Sequence, residues 1–153
     1  MLQRQWQETQ ANLGGALDLY QIHSATLDSG VLDDRTLHGE LAQLKAAGTR
    51  IGLTLSGPQQ GVTLEKALTL QVDGVRLFDA VQATWNLLKP SAGVVLDAAH
   101  QEGLVVIIKK ALANGRLTER NQAASFQAQR QRLETLAEDP TRYWQTRAEL
   151  AWN

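Results

Sequence analysis

Five aliphatic residues in succession, Leu104-Val105-Val106-Ile107-Ile108, follow Gly103 and precede Lys109-Lys110. The run is far too short to span a bilayer. Successive large apolar side chains also leave no polar face for solvent. The run therefore predicts a parallel strand covered on both faces. Parallel strands need a crossover between them, usually a helix, and the remainder of the chain alternates accordingly. Trp6 to Leu13 is a polar, amphipathic segment closed by Gly14-Gly15, a helix-stop signal. Leu17 to His23 reads as a strand. Asp33-Asp34 offers short carboxylates to the free N–H groups of a following helix. Leu37, Leu41 and Leu44 recur there at helical spacing, and Gly48 ends it. Arg50 to Leu55 is a second strand, running into the turn Ser56-Gly57-Pro58. A short helix over Thr63 to Leu70 precedes a third strand, Val75 to Thr84, in which Val75, Leu77 and Val81 alternate. Pro90 opens a helix through Ala99 that stops at Gly103.

The order α-β-α-β-α-β-α-β predicts an α/β fold with a parallel sheet and right-handed crossovers. Ala46-Ala47-Gly48 before one strand is echoed by Ala98-Ala99 shortly before Gly103 and another. Two regions are expected: residues 1–120, with the βα units, and a polar helical tail over 121–153. No strand-like run follows Ile108.

Several function classes are disfavoured by composition. Net charge is −1, so nucleic acid and anionic membrane surfaces are not expected partners. The chain has no cysteine, which removes disulfides, thiol catalysis and cysteine-based metal sites. The start, Met1-Leu2-Gln3-Arg4-Gln5-Trp6-Gln7, has no apolar signal core, and a cytoplasmic protein is the expectation. Asp28, Asp33 and Asp34 lie near His23 in sequence but lack metal-ligand spacing; capping accounts better for Asp33 and Asp34. Arg116, Arg120, Arg130 and Arg132, interrupted by Glu119 and Glu134, read as a solvated face.

Three blocks resemble the aldo-keto reductase family, in the family's order. The first is Leu17-Asp18-Leu19-Tyr20-Gln21-Ile22-His23 followed by Ser24-Ala25-Thr26. The second is Val81-Gln82-Ala83-Thr84-Trp85-Asn86-Leu87-Leu88. The third is Gly103 to Ile108 leading into Leu112-Ala113-Asn114-Gly115-Arg116-Leu117-Thr118. Ile51-Gly52-Leu53-Thr54 sits where the family's fifth strand belongs. The likeness covers roughly Trp6 to Thr118. It implies strands four to seven of a TIM-type (β/α)8 barrel, a fold that typically takes about 250 residues, plus a shortened C-terminal tail.

By that resemblance the activity would be NAD(P)H-dependent reduction of a small carbonyl or sugar, or the reverse oxidation. His23 would orient the carbonyl. Thr54 and Gln82 would meet the nicotinamide carboxamide, and Lys109, Leu112 and Asn114 the phosphate side of NADP(H) or NAD(H). Each also has a plainer reading. His23 can be a strand-end histidine with a local hydrogen bond. Gln82 can be a half-buried amide satisfied by backbone. Lys109-Lys110 can be a solvated strand end, and Ala113-Asn114-Gly115 a simple turn. Leu55 departs from the family's asparagine and cannot hydrogen-bond. The tyrosine, lysine and aspartate of the family's active site have no counterpart here. General acid catalysis is worth ~10²–10⁴ in rate, so the chain by itself is expected to be weak or inactive. The rival expectation is a non-catalytic half-barrel that forms a homodimer or pairs with a complementary barrel half.

Overall fold

The computed structural model describes residues 2–118 together with 124, 127, 128 and 131. The expected tail over 121–153 falls outside the described residues apart from those four positions. Helix α1 spans Leu2–Leu13, longer at its start than the apolar pattern indicates. Strand β1 spans Leu19–Ala25, helix α2 Arg35–Ala46 and strand β2 Arg50–Leu55. Helix α3 is Gln60–Leu68, and the short strands β3 and β4 are Gln71–Val72 and Val75–Arg76. Strand β5 is Ala80–Thr84, helix α4 Gly93–Gln101 and strand β6 Val105–Lys109.

The four long strands form one parallel sheet in the order β1-β2-β5-β6, which is their order along the chain. Leu19, Tyr20, Gln21 and Ile22 lie opposite Arg50, Ile51, Gly52 and Leu53. Gly52, Leu53 and Thr54 in turn lie opposite Ala80, Val81 and Gln82.

The single strand expected over Val75 to Thr84 is not formed. Its first part is one arm of a separate antiparallel hairpin, β3–β4, closed by Asp73-Gly74 at φ 51° and 76°. Asp-Gly between alternating apolar residues is a strong signal for a two-residue hairpin, and Val72 and Val75 flank it here. Leu77 N–H then bonds to Leu70 O at 3.0 Å, and Leu77 and Phe78 enter the core before β5 begins. The hairpin also ends α3 two residues early, at Leu68 rather than Leu70. Pro90 stays outside α4, which starts at Gly93 without a side-chain cap. The first strand is shifted towards Ala25, so His23 lies two residues inside its C-terminal end.

Asp34 caps α2, its Oδ1 accepting the Leu37 N–H at 3.0 Å, as the short-carboxylate argument requires. Asp33 has a different role: it takes an ion pair from Lys66 at 2.6 Å.

Burial follows the pleat. Ile51, Leu53 and Leu55 of β2 and Val81 and Ala83 of β5 are fully buried on one face. They cluster with Leu41 of α2, Leu64 and Ala67 of α3, and Leu96 and Ala99 of α4. Alternate residues must point the other way. That second face carries Leu19, Gln21 and His23 on β1, Gly52 and Thr54 on β2, and Ala80 and Gln82 on β5. Strand β6 is less covered than its apolar run implies. Leu104, just before it, is 1% exposed, but Val105 is 47% and Ile108 37% exposed.

A polar staple ties the start of β2 to the start of β5. Asp79 Oδ2 accepts the Ile51 N–H at 3.0 Å, and Asp79 Oδ1 accepts from Lys45 Nζ at 2.7 Å. Lys45 Nζ also donates to Arg76 O at 2.7 Å. The chain divides into two compact units, Met1–Ala83 with Ala92–Ile107, and Thr84–Ser91 with Ile108–Asn153.

Candidate functional site

In the first unit the register sets Thr54 directly opposite Gln82, so both side chains leave the same face of the sheet. Thr54 Oγ1 donates to Gln82 Oε1 at 3.0 Å. Thr54 is buried and Gln82 half-buried. The plainer expectation for Gln82, a bond to backbone, is replaced by this side-chain pair. The bond also orients the amide. Its oxygen accepts from the hydroxyl, and its NH₂ remains a donor to offer a ligand.

His23 sits on β1 at the same level of the sheet, where the β1–β2 register shifts between Ile22 and Ala25. Ser24 takes a left-handed backbone conformation, φ 56°, that L-residues adopt only at a cost. The irregularity follows His23, so the alternation from Leu19 through Gln21 still places His23 on the polar face. Its Nε2 lies 3.3 Å from Ser24 Oγ, the local hydrogen bond of the plainer reading. The imidazole is exposed, free to meet a ligand.

Gln21 belongs to this face and was given no role by the sequence. Strand alternation put it on His23's side, which was the available signal. Its Oε1 is buried and accepts no hydrogen bond. Gly52, opposite it, makes room. A Cβ there would lie 3.1 Å from Gln21 Cγ, 3.1 Å from Leu19 Cδ1 and 3.1 Å from Ala80 O.

Lys109, Leu112 and Asn114 fall in the second unit. Lys109 is half-buried rather than solvated. Burial, and the neighbouring Lys110, lower its pKa. Leu112 is 58% exposed and Asn114 is exposed. The turn holding them is tightly wound, with Lys110, Ala113 and Asn114 at φ 56°, 49° and 56°. Asn86 is buried beneath it. Its Nδ2 donates to Lys110 O at 2.9 Å, and its Oδ1 accepts the N–H groups of Leu88 and Lys89 at 2.9 and 3.0 Å. Lys89, absent from the sequence-based assignment, shares a small recess with Lys110, Asn114 and Arg116. Its amine is brought down to about 8, by burial first and then by the charges of Lys110 and Lys109. A cation cluster of this kind suits an anion.

The first unit also holds a recess of about 750 Å³, lined by residues including Arg35, His38, Gly39, Thr69 and Gln71. His38 there has a structural bond, Nε2 to Val31 O at 2.8 Å. Among the described residues no three His, Asp or Glu side chains gather as a metal site. None of the described helices is long and apolar enough to cross a membrane.

No protein-family model matches the chain, and neither a curated protein nor a solved structure matches it.

Proposed function

We propose that this chain supplies the carbonyl- and nicotinamide-positioning part of an aldo-keto-reductase-type βα barrel, acting in NAD(P)H-dependent reduction of a small carbonyl or sugar, or in the reverse oxidation. The observation that carries the reading is the in-register Thr54–Gln82 hydrogen bond on the polar face of the sheet, with His23 on the adjacent strand at the same level. A primary carboxamide presents one acceptor and one donor group, and the free NH₂ of Gln82 matches the acceptor. The cofactor, when bound, supplies the hydride. The chain's own contribution is to orient: Gln82 and Thr54 fix a ring by its amide, and His23 donates to or accepts from a carbonyl substrate. The family's proton-donating tyrosine, with its lysine and aspartate, has no counterpart in this sequence, so this chain alone binds weakly and turns over little. The lysine-rich turn of the second unit suits phosphate, and its assignment to the cofactor rests on the resemblance.

NADPH fluorescence titration of the full chain tests the reading. Saturable millimolar binding is expected, weakened several-fold by Gln82→Leu. Absence of saturable binding, or identical titrations for wild type and Q82L, would remove the proposal.

A second reading has its own observation. Among the described residues the sheet ends at β1 and β6, and β6 displays Val105 and Ile108. Strand edges of this kind pair with other chains, which supports a homodimer or a complementary half-barrel as partner.

A further inference from the structure

The net charge of −1 conceals an uneven division. The second compact unit, Thr84–Ser91 with Ile108–Asn153, carries nine of the chain's 15 lysines and arginines but five of its 16 acidic residues, leaving six and eleven to the first. The balance is +4 against −5. The whole excess of the second unit lies in residues 84–91 and 108–118, which hold Lys89, Lys109, Lys110 and Arg116 and no carboxylate. Such asymmetry marks one part of a chain for an anionic partner.

The same two stretches are apolar at their surface. Trp85, Leu87, Leu88 and Leu112 are exposed, Leu87 at 84%. Backbone bonds order their display. Asn86 N–H donates to Lys89 O at 3.4 Å and Lys89 N–H to Asn86 O at 3.0 Å, closing a tight turn with Leu87 and Leu88 at its tip. The buried Asn86 side chain accepts the Leu88 and Lys89 N–H groups and donates to Lys110 O, which ties this turn to the one bearing Leu112. Leu88 lines a small recess together with Lys89, Lys110 and Arg116. An ordered tip thus projects leucines beside a group of cations.

A free phosphate would use the cations and none of the leucines. Nucleic acid rewards cations and stacking aromatics rather than aliphatic side chains. Protein interfaces deplete lysine and seat their apolar anchors in pockets, whereas three of these four cations are lysines and the leucine tip projects. A bilayer surface uses every group present. Leucine enters the acyl boundary, tryptophan sits at headgroup level, and lysine reaches anionic headgroups along its apolar stem.

We propose that the turns over 86–89 and 110–116 form a docking surface for an anionic lipid bilayer, on which the chain sits without crossing it. This surface does not depend on the nicotinamide reading.

Cosedimentation of the full chain with phosphatidylcholine vesicles, with and without phosphatidylserine, measures the partition. Binding is expected only with phosphatidylserine present, and it should weaken as salt rises. Leu87→Asn and Leu112→Asn should each lower the partition about tenfold. Lys110→Gln should lower it about fivefold, the worth of one charge near such a surface. Val62→Asn, at an exposed apolar position of the first unit, should leave it unchanged. A reading that needs no loss of binding comes from lipids brominated along the acyl chain. They should quench part of the wild-type tryptophan fluorescence, and that part should be missing in Trp85→Phe. Absence of binding to phosphatidylserine vesicles, equal binding to phosphatidylcholine alone, or undiminished binding in both leucine variants would overturn the proposal. So would single-stranded DNA or polyglutamate bound as tightly as the vesicles and insensitive to Leu87→Asn, which would mark a surface for nucleic acid or for acidic protein instead.

Discussion

Replacing Asp79 by alanine should cost this fold a large share of its stability, and the staple explains how much. Ile51 is 0% exposed, and its N–H is satisfied by Asp79 Oδ2 at 3.0 Å. Alanine leaves that amide buried without an acceptor, which costs about 1–3 kcal/mol. The same change removes the partner of Lys45, whose side chain is 22% exposed and 2.7 Å from Asp79 Oδ1. Lys45 keeps its bond to Arg76 O, so the charge is only partly abandoned, adding about 1 kcal/mol. The sum is about 2–4 kcal/mol against a typical total of 5–15. For a chain of this size that lowers the melting temperature by roughly 4–16 °C. Asp79→Asn separates the two effects. Its side-chain oxygen still accepts from Ile51, while its NH₂ cannot accept from Lys45, so the ion pair and its hydrogen bond are lost but the buried amide stays paired, and the cost should fall to about 1 kcal/mol. Circular-dichroism melts and urea titrations of the two variants provide the measurement. If D79A lies within about 0.5 kcal/mol of wild type, or if D79N is as damaged as D79A, the buried amide is not what the carboxylate protects.

Other outcomes follow from single residues. Gly52→Ala should destabilise by about 1–3 kcal/mol through overpacking, because Ala80 O, 3.1 Å from the new Cβ, is backbone and cannot swing away; a neutral melt would mean that the strands separate freely. Asp34→Ala should cost about 1 kcal/mol by uncapping α2, and urea unfolding with unchanged stability would contradict the cap. Lys89, at about 8, should acylate roughly tenfold faster near pH 7 than ordinary lysines, read by competitive labelling and mass spectrometry; an ordinary rate would contradict its burial among Lys109 and Lys110. The same shift has a sign for stability. Between about 8 and 10.5 the unfolded chain holds the Lys89 proton that the folded chain has released, so this contribution favours folding increasingly as pH rises from 8. Above 10.0 the half-buried Tyr20 phenol, whose pKa is raised by desolvation, works in the opposite direction. Urea titrations at pH 7 and 9.5 check the sign, and for Lys89→Met the pH-dependent gain should shrink. Light scattering should detect association at high micromolar concentration through β1 or β6; a monodisperse monomer would count against pairing at the sheet edges.

Much of the fold was readable because local and global signals agree. Short carboxylates preceding a leucine stripe gave α2, and glycine after an alanine-rich stretch gave its end. The aliphatic run gave β6. The third strand was misread for a physical reason. Val75, Leu77 and Val81 do alternate, but the alternation is shared by a hairpin arm, a core-directed turn and a true sheet strand. Asp73-Gly74, immediately before Val75, is the signal that divides them. The over-reading of β6 has another cause. Five apolar residues report that a strand wants covering on both faces, not that both faces are covered. Val105 and Ile108 keep substantial exposure among the described residues.

For the site, the sequence carried residue types but not pairings. Gln82 and Thr54 are far apart in the chain, and only the register between β2 and β5 makes them one group. Once they are paired, the threonine hydroxyl fixes which way the glutamine amide is turned, with one of its two acceptor positions filled and its NH₂ directed away from the hydroxyl. Gln21 was legible only as a residue on the correct face. Its packing depends on Gly52, because a Cβ at that position would lie 3.1 Å from Gln21 Cγ. The same logic applies to Lys89. Nothing in Leu87-Leu88-Lys89-Pro90 marks its amine as unusual. The shift arises from burial first, and then from Lys110 and Lys109, which share the turn anchored by Asn86. Alternation along a strand can nominate such residues, but whether an amide offers its oxygen or its nitrogen, and whether a lysine holds its proton, is decided by neighbours distant in sequence. Gln82 is therefore the sharpest place to ask whether the resemblance in the strands extends to the chemistry.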